Sequence, residues 1–203
     1  MCDLCPRLVA FRCQNKQLFP NFFNAPVPSF GDKNAQLLVV GLAPGLKGAN
    51  CTGRPFTGDY AGILLYQTLN KFGFTQGTYQ AKADDGLRLV NARITNAVRC
   101  VPPENKVTGA EIKTCNPLLK AEINALPDLR VIIALGSVAH QAVCRALCVA
   151  EKGHKFAHGA KHTLPGGITL IDSYHCSRYN TSTKRLTEKM FEDIFVQAQA
   201  CLL

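Results

Sequence analysis

Between Gly41 and Asp59 the chain reads GLAPGLKGANCTGRPFTGD, with five glycines, two prolines, Arg54, Phe56, Thr57 and a single carboxylate, Asp59. Glycine lets backbone approach a ligand closely and proline stiffens the loop that does so, which makes this a binding loop rather than a plain turn. It has neither the Gly-Lys-Ser/Thr ending of a phosphate loop nor the Gly-x-Gly-x-x-Gly of a dinucleotide fold, so a nucleotide cofactor is not expected. Further on, His175 stands just past an apolar run and is followed by Ser177, Arg178 and Asn180. Hydrogen bonding to a substrate is preferred here over a capping role.

Cysteines supply a second chemistry. Of ten, Cys2 and Cys5 form a CxxC knuckle, and Cys100 and Cys115, with fourteen residues between them, have the spacing to complete a four-thiolate set. Such a set holds zinc or a 4Fe-4S cluster, and ligand type alone does not choose. Cys13, Cys51, Cys144, Cys148, Cys176 and Cys201 have no comparable pairing and read mostly as small buried apolars. His154, His158 and His162 lie in KGHKFAHGAKH without a neighbouring carboxylate or cysteine, and so read as a solvated, phosphate-facing loop rather than a zinc site. His140, inside a helical segment, reads as structural.

These residues must be positioned by regular elements. Four strand-like apolar runs occur at 36–42, 89–98, 130–136 and 168–174, and helically spaced segments separate them, which predicts an α/β layer with a mostly parallel sheet. Thr108 and Glu111 have capping-box spacing and should start a helix with Ile112, Cys115, Leu118, Leu119 and Ile123 on one face. Leu186, Met190, Ile194 and Ala198 mark the inner face of a last helix. In an open parallel sheet ligands bind outside the carboxyl ends of the strands, so the loops after the four runs should converge on one cleft.

At 203 residues the chain suits a single domain, residues 1–203. Its 23 basic against 14 acidic residues give +9, which favours an anionic partner, nucleic acid first. No apolar run approaches the roughly 20 residues that span a bilayer. The opening MCDLCPRLVAFR lacks a signal-peptide pattern, so the expected location is cytoplasmic, with no membrane partner.

Taken in order, CxxCPRLV, GLAPGxxGAN-x-TGRPFTGD, TNAVRCVPPENK with EIKxC, FxHG, LPGG and SYHxSRxNTxTxRLT resemble the iron-sulfur branch of the uracil-DNA glycosylase superfamily, family 5, over nearly the whole chain. The resemblance implies a three-layer α/β/α sandwich around a central four-stranded parallel sheet, a 4Fe-4S cluster on Cys2, Cys5, Cys100 and Cys115 with a structural role, and removal of uracil and other deaminated bases such as hypoxanthine and xanthine from DNA. A monomer is expected. Sister family 4 carries Glu where this chain has Leu42, so the family 5 candidate for the catalytic carboxylate is Asp59, with His175 and the amides around Gly41, Ala43 and Gly45 facing the leaving base. Phe56 is the stacking platform and Asn96 suits the amide edge of uracil. Asn105 resembles a position tied to purine products. Arg54, Ser177, Arg178, Asn180, Lys184 and Arg185, with the lysines of the 152–161 loop, are the expected DNA contacts. Cys51 stands where the family usually has Arg, and Cys176 where many members have Pro. Three alternatives stay open: a family 4-like enzyme confined to uracil, a non-catalytic iron-sulfur DNA-binding protein, and a zinc-bound nucleic-acid module.

Overall fold

The structure, a computed structural model, describes residues 2–150 and 152–202. Helix α1 (Pro6–Leu18) leads into β1 (Phe30–Gly31), β2 (Leu37–Gly41), the short α2 (Ala49–Thr52) and α3 (Tyr60–Lys71). Then come β3 (Thr75–Gln76), β4 (Arg88–Leu89), β5 (Ala92–Asn96), α4 (Gly109–Asn124), β6 (Val131–Leu135) and α5 (Ser137–Ala146). The chain ends with β7 (Lys161–Thr163), β8 (Thr169–Ser173), α6 (Arg178–Ser182) and α7 (Glu188–Leu202).

The main sheet runs β1-β5-β2-β6-β8-β7. Its four central strands are parallel, as expected, and the short β1 and β7 add an antiparallel edge on each side. Alternation along the strands sorts their side chains. Leu37, Val39, Ile133 and Ile171 face a layer of α3 and α7 that supplies Leu65, Leu69, Phe191 and Phe195. Leu38, Val40, Ile132 and Leu170 face α4 and α5, which supply Leu119, Ile123, Ala142 and Val143. Strands buried on both faces explain why these runs are apolar throughout, and each such Leu or Phe contributes about 1.5–3 kcal/mol by its burial.

Some boundaries differ from expectation. The run 89–98 breaks at Asn91, which sits at φ 52 and locks Gln36 through both ends of its amide. Residues 88–89 instead pair with β3 in a separate ribbon. The Thr108–Glu111 capping box forms in full, but Leu118 on that helix is 43% exposed. Leu186 is wholly buried although it precedes α7. Among the described residues no helix is long and apolar enough to cross a membrane.

The histidine-rich loop turns inward rather than toward solvent. Asp172 on β8 is fully buried, with one carboxylate oxygen 2.8 Å from His140 Nδ1 and the other 3.1 Å from His162 Nε2. His140 Nε2 lies 2.8 Å from the His154 carbonyl, so with Asp172 ionised both its nitrogens face acceptors, an arrangement that suits the imidazolium form. Burial opposes that charge, but the Asp172 hydrogen bond and charge outweigh it and raise the His140 pKa to about 10. Two imidazoles and a carboxylate within 4.8 Å are also the donor set of a cation site; here they saturate one another as a buried ion network that ties α5, β7 and β8 together.

Asp172→Asn is expected to lower stability at neutral pH by about 3 kcal/mol, because it leaves a buried charge without its partner. A histidine whose pKa rises on folding contributes stability that is complete below about 6.5 and is lost as pH climbs through about 10. The gap in urea midpoint between wild type and variant should therefore shrink between neutral pH and that value.

Candidate active site

The chain passes from β2 to β5 on one side and then crosses to β6 and β8 on the other, so the connections reverse direction beside β2. A cleft of ≈ 310 Å³ opens at the carboxyl ends of these strands, large enough for a small ring system. Loops after β2, β5 and β8 line it with Ala43, Gly45, Pro102, Asn105, His175, Ser177 and Arg178, joined by Asp59 and Tyr60 at the start of α3. The loop after β6 stays behind them: Gly136 donates to the Ser173 carbonyl and backs onto the His175 Cβ. Three of the four expected loops thus meet in the cleft.

Gly41 ends β2 opposite Asn96, the last residue of β5. A Cβ at Gly41 would sit 2.5 Å from Asn96 Oδ1 and 2.5 Å from Phe56 Cζ, so only glycine lets the ring and the amide meet at the strand end. Asn96 is 3% exposed and its Oδ1 has no hydrogen-bond partner among the described residues. Phe56 is held at φ 53, with the Tyr79 hydroxyl donating to its carbonyl, and its ring lies nearly parallel to the His175 ring at 6.0 Å.

Asp59 is the N-cap of α3, where Oδ1 accepts from Gly62 N at 3.0 Å. Its Oδ2 faces Gly45 and Gly48, and a Cβ on Gly48 would come within 2.5 Å of it. Burial raises the Asp59 pKa, and the backbone hydrogen bonds offset this only in part. Burial also lowers the His175 pKa to about 4, which keeps the ring neutral at physiological pH.

Arg54, expected to contact DNA, is turned inward instead. Arg54 is 4% exposed and forms a fork with both oxygens of Asp85 at 2.7 Å, while its Nε donates to Thr57 Oγ1. Its guanidinium lies among the rings of Phe30, Tyr66 and Tyr79. Arg54 holds Asp85 well below the usual carboxylate range, and the pair fixes the loop that presents Phe56. Asn180, half-buried, donates from its amide nitrogen to the His175 carbonyl at 2.8 Å and so braces that residue. Ser177 caps α6. Arg178 lies over the Tyr60 ring, Arg185 lies over Tyr174, and Arg178, Lys184 and Arg185 are exposed. Lys152, Lys155 and Lys161 are exposed as well. His158 accepts from Tyr174 N and stacks on that ring, which latches the 150s loop to the end of β8. Sequence reasoning did not find Asp85, Tyr66 or Tyr79, since nothing local distinguishes them.

Away from the cleft, Cys2, Cys5, Cys100 and Cys115 line one small apolar cavity between α1, the loop after β5 and α4. Burial and the neighbouring sulfurs raise the thiols of Cys5 and Cys115, and Cys100 rises to about 11. Of the other cysteines, Cys144 and Cys176 are buried as expected, whereas Cys13 and Cys148 are exposed.

Residues 28–199 match the family model described as the uracil DNA glycosylase superfamily. A type-5 uracil-DNA glycosylase of Thermus thermophilus is 44% identical over 203 residues, which cover 98% of this chain and 92% of that protein. One from Mycobacterium bovis is 42% identical over 207 residues, covering 98% and 77%. The crystal structure of Pedobacter heparinus SMUG2 shares the fold with a TM-score of 0.51, at 13% identity over 83% of this chain and 76% of that one.

Arg54→Met is expected to destabilise the fold by about 3 kcal/mol, since it strands Asp85. The salt dependence of nucleic-acid binding should stay that of the wild type, as read from binding titrations at several ionic strengths. A flatter slope would return Arg54 to the phosphate contacts.

Proposed function

The chain belongs to the uracil DNA glycosylase superfamily and is a DNA N-glycosylase that removes uracil in DNA repair, and we propose that it does so as a cytoplasmic monomer by flipping the base into the cleft, with Asp59 and His175 stabilising the two halves of the breaking bond. The observation that carries this reading is the Asn96 amide, nearly sealed beside Gly41 and Phe56 with its oxygen unpartnered. A buried unmade hydrogen bond costs about 1–3 kcal/mol, which an incoming ring N–H would relieve. Uracil offers that N–H beside a carbonyl that the same amide can serve as donor. Phe56 supplies a π face for the flipped base.

As the N-glycosidic bond lengthens, positive charge grows on the deoxyribose and negative charge on the base. Asp59 is desolvated before reaction and gains a cationic partner only as the bond breaks, so its charge acts mainly on the transition state. Its free oxygen also orients the water that attacks the sugar carbon. His175, as a neutral ring, donates a hydrogen bond to the departing uracil, and the amides of the Gly41–Gly45 loop add to it. Arg178, Lys184 and Arg185, with the lysines of the 152–161 loop, hold the DNA backbone, so replacing one of the three arginine or lysine side chains by Ala should reduce the salt slope of binding by about one.

Cys2, Cys5, Cys100 and Cys115 hold a 4Fe-4S cluster in this reading. Four cysteines facing one apolar cavity suit a metal group that takes them as thiolates, and two arginines lining the same cavity keep N–H groups without acceptors. The cluster supplies a cross-link between the N-terminal segment and the loop after β5, and hydrolysis moves no electrons through it. Asn105, on the cleft rim, supports a substrate range that extends to hypoxanthine and xanthine; excision of uracil alone from a panel of modified oligonucleotides would instead make the enzyme family 4-like in range.

The deciding experiment is Asp59→Asn under single turnover, alongside binding titration on the same uracil duplex. Asn is as good an N-cap as Asp, so α3 and the melting temperature should be kept. Base release should fall at least about a hundredfold while affinity is held. In the wild type, release should also decline in acid through an ionisation above the ordinary Asp value, and the variant should lack that limb. Cleavage near the wild-type rate would show that the charge comes from elsewhere.

A further inference from the structure

Arg12 is a buried cation with too few partners. It lies on α1, is 4% exposed, and donates one hydrogen bond, from Nη2 to the Cys2 carbonyl at 2.6 Å. Its Nε and Nη1 are buried and meet no acceptor among the described residues, and no carboxylate there lies within ion-pair distance. Arg99 repeats the pattern in part: Nη2 is paired with Glu122, whereas Nε is buried without an acceptor. Both side chains line the cavity that holds the four cysteines.

A guanidinium cannot shed its charge, and burying it unpaired is strongly unfavourable. Four neutral thiols do not relieve that cost, because a thiol is a weak acceptor and carries no charge. Four thiolates around a metal group do, because they keep net negative charge and lone pairs on sulfur. An iron-sulfur cluster adds its own sulfides as further acceptors at the same place.

We propose that Arg12 is the counter-ion and N–H donor of the metal-thiolate group, with Arg99 Nε as a second donor, and that the two set both the retention and the reduction potential of the cluster. This rests on the iron-sulfur reading of the cysteine site. Arg12 is a positioning and tuning residue: it is buried and does not line the cleft, and it anchors the Cys2 backbone while it faces the sulfurs. Positive charge and hydrogen bonds at sulfur favour the reduced, more negative cluster, so they raise its potential.

The test uses the cluster-loaded protein and its Arg12→Met, Arg12→Lys and Arg99→Met variants. Iron content, the potential from spectroelectrochemical titration, and the rate of cluster loss to EDTA are read for each. Arg12→Met should shift the potential to more negative values and lose the cluster about tenfold faster, as for the loss of an outer-sphere partner. Arg12→Lys should recover part of both effects, and Arg99→Met should show a smaller shift of the same sign. If Arg12→Met does not fold, the Arg12→Lys and Arg99→Met shifts decide. Variants with wild-type potential and retention, even if less heat-stable, would reduce Arg12 to packing and overturn the proposal. Wild-type protein that takes up zinc and no iron would overturn the cofactor reading instead; faster zinc loss from Arg12→Met would then still support the counter-ion role, and unchanged loss would end it.

Discussion

The site depends on a missing side chain. Gly41 stands at the end of β2, in register with Asn96, where any Cβ would collide with both the Asn96 amide and the Phe56 ring. Without that vacancy the ring could not lie over the strand end, and the amide would lose the apolar cover that makes its hydrogen bond count. A hydrogen bond made in such a sealed place is stronger than one made in water, and costlier to leave unmade. In the proposed reading, that same contact is what selects the base.

Holding Phe56 there takes force from further away. A non-glycine residue at φ 53 is uncommon and persists only when its surroundings impose it. Here the Arg54–Asp85 fork, the aromatic rings around it and the Tyr79 hydroxyl supply the constraint. Asp59 follows three residues later as the cap of α3, so one rigid loop delivers both a ring and a carboxylate. Capping fixes one oxygen of Asp59 and leaves the other directed at the glycines of the opposite loop, where only small residues leave room for it.

Much of this was legible in the sequence. The four parallel strands, the capping box and the loop that carries Phe56 and Asp59 follow from periodicity and from glycine and proline chemistry, which are local signals. Arg54 was misread because an arginine in a basic, glycine-rich loop looks the same whether it meets phosphate or a buried carboxylate thirty-one residues away. His162 in the 150s–160s loop failed for the same reason: its partner, Asp172, is set by how β7 packs on β8 and not by the residues beside it in sequence. Long-range polar pairing leaves no period to read.

Cys176, where the resemblance to the family leads one to expect Pro, shows how such a departure can be absorbed. It follows His175 directly, is fully buried, and its thiol donates to the Ala61 carbonyl at 3.5 Å, in the first turn of the helix that Asp59 caps. Burial first, and then the nearby Asp59 charge, drives the thiol pKa up, so the sulfur stays protonated and remains a donor. Proline stiffens the chain after the histidine by fixing its own backbone angle. Cysteine gives up that restraint but adds a contact between the two segments that carry His175 and Asp59. The separation of these two groups is then held by side-chain packing across the cleft floor rather than by a ring in the backbone, and a thiol too buried to ionise adds no competing negative charge beside the carboxylate.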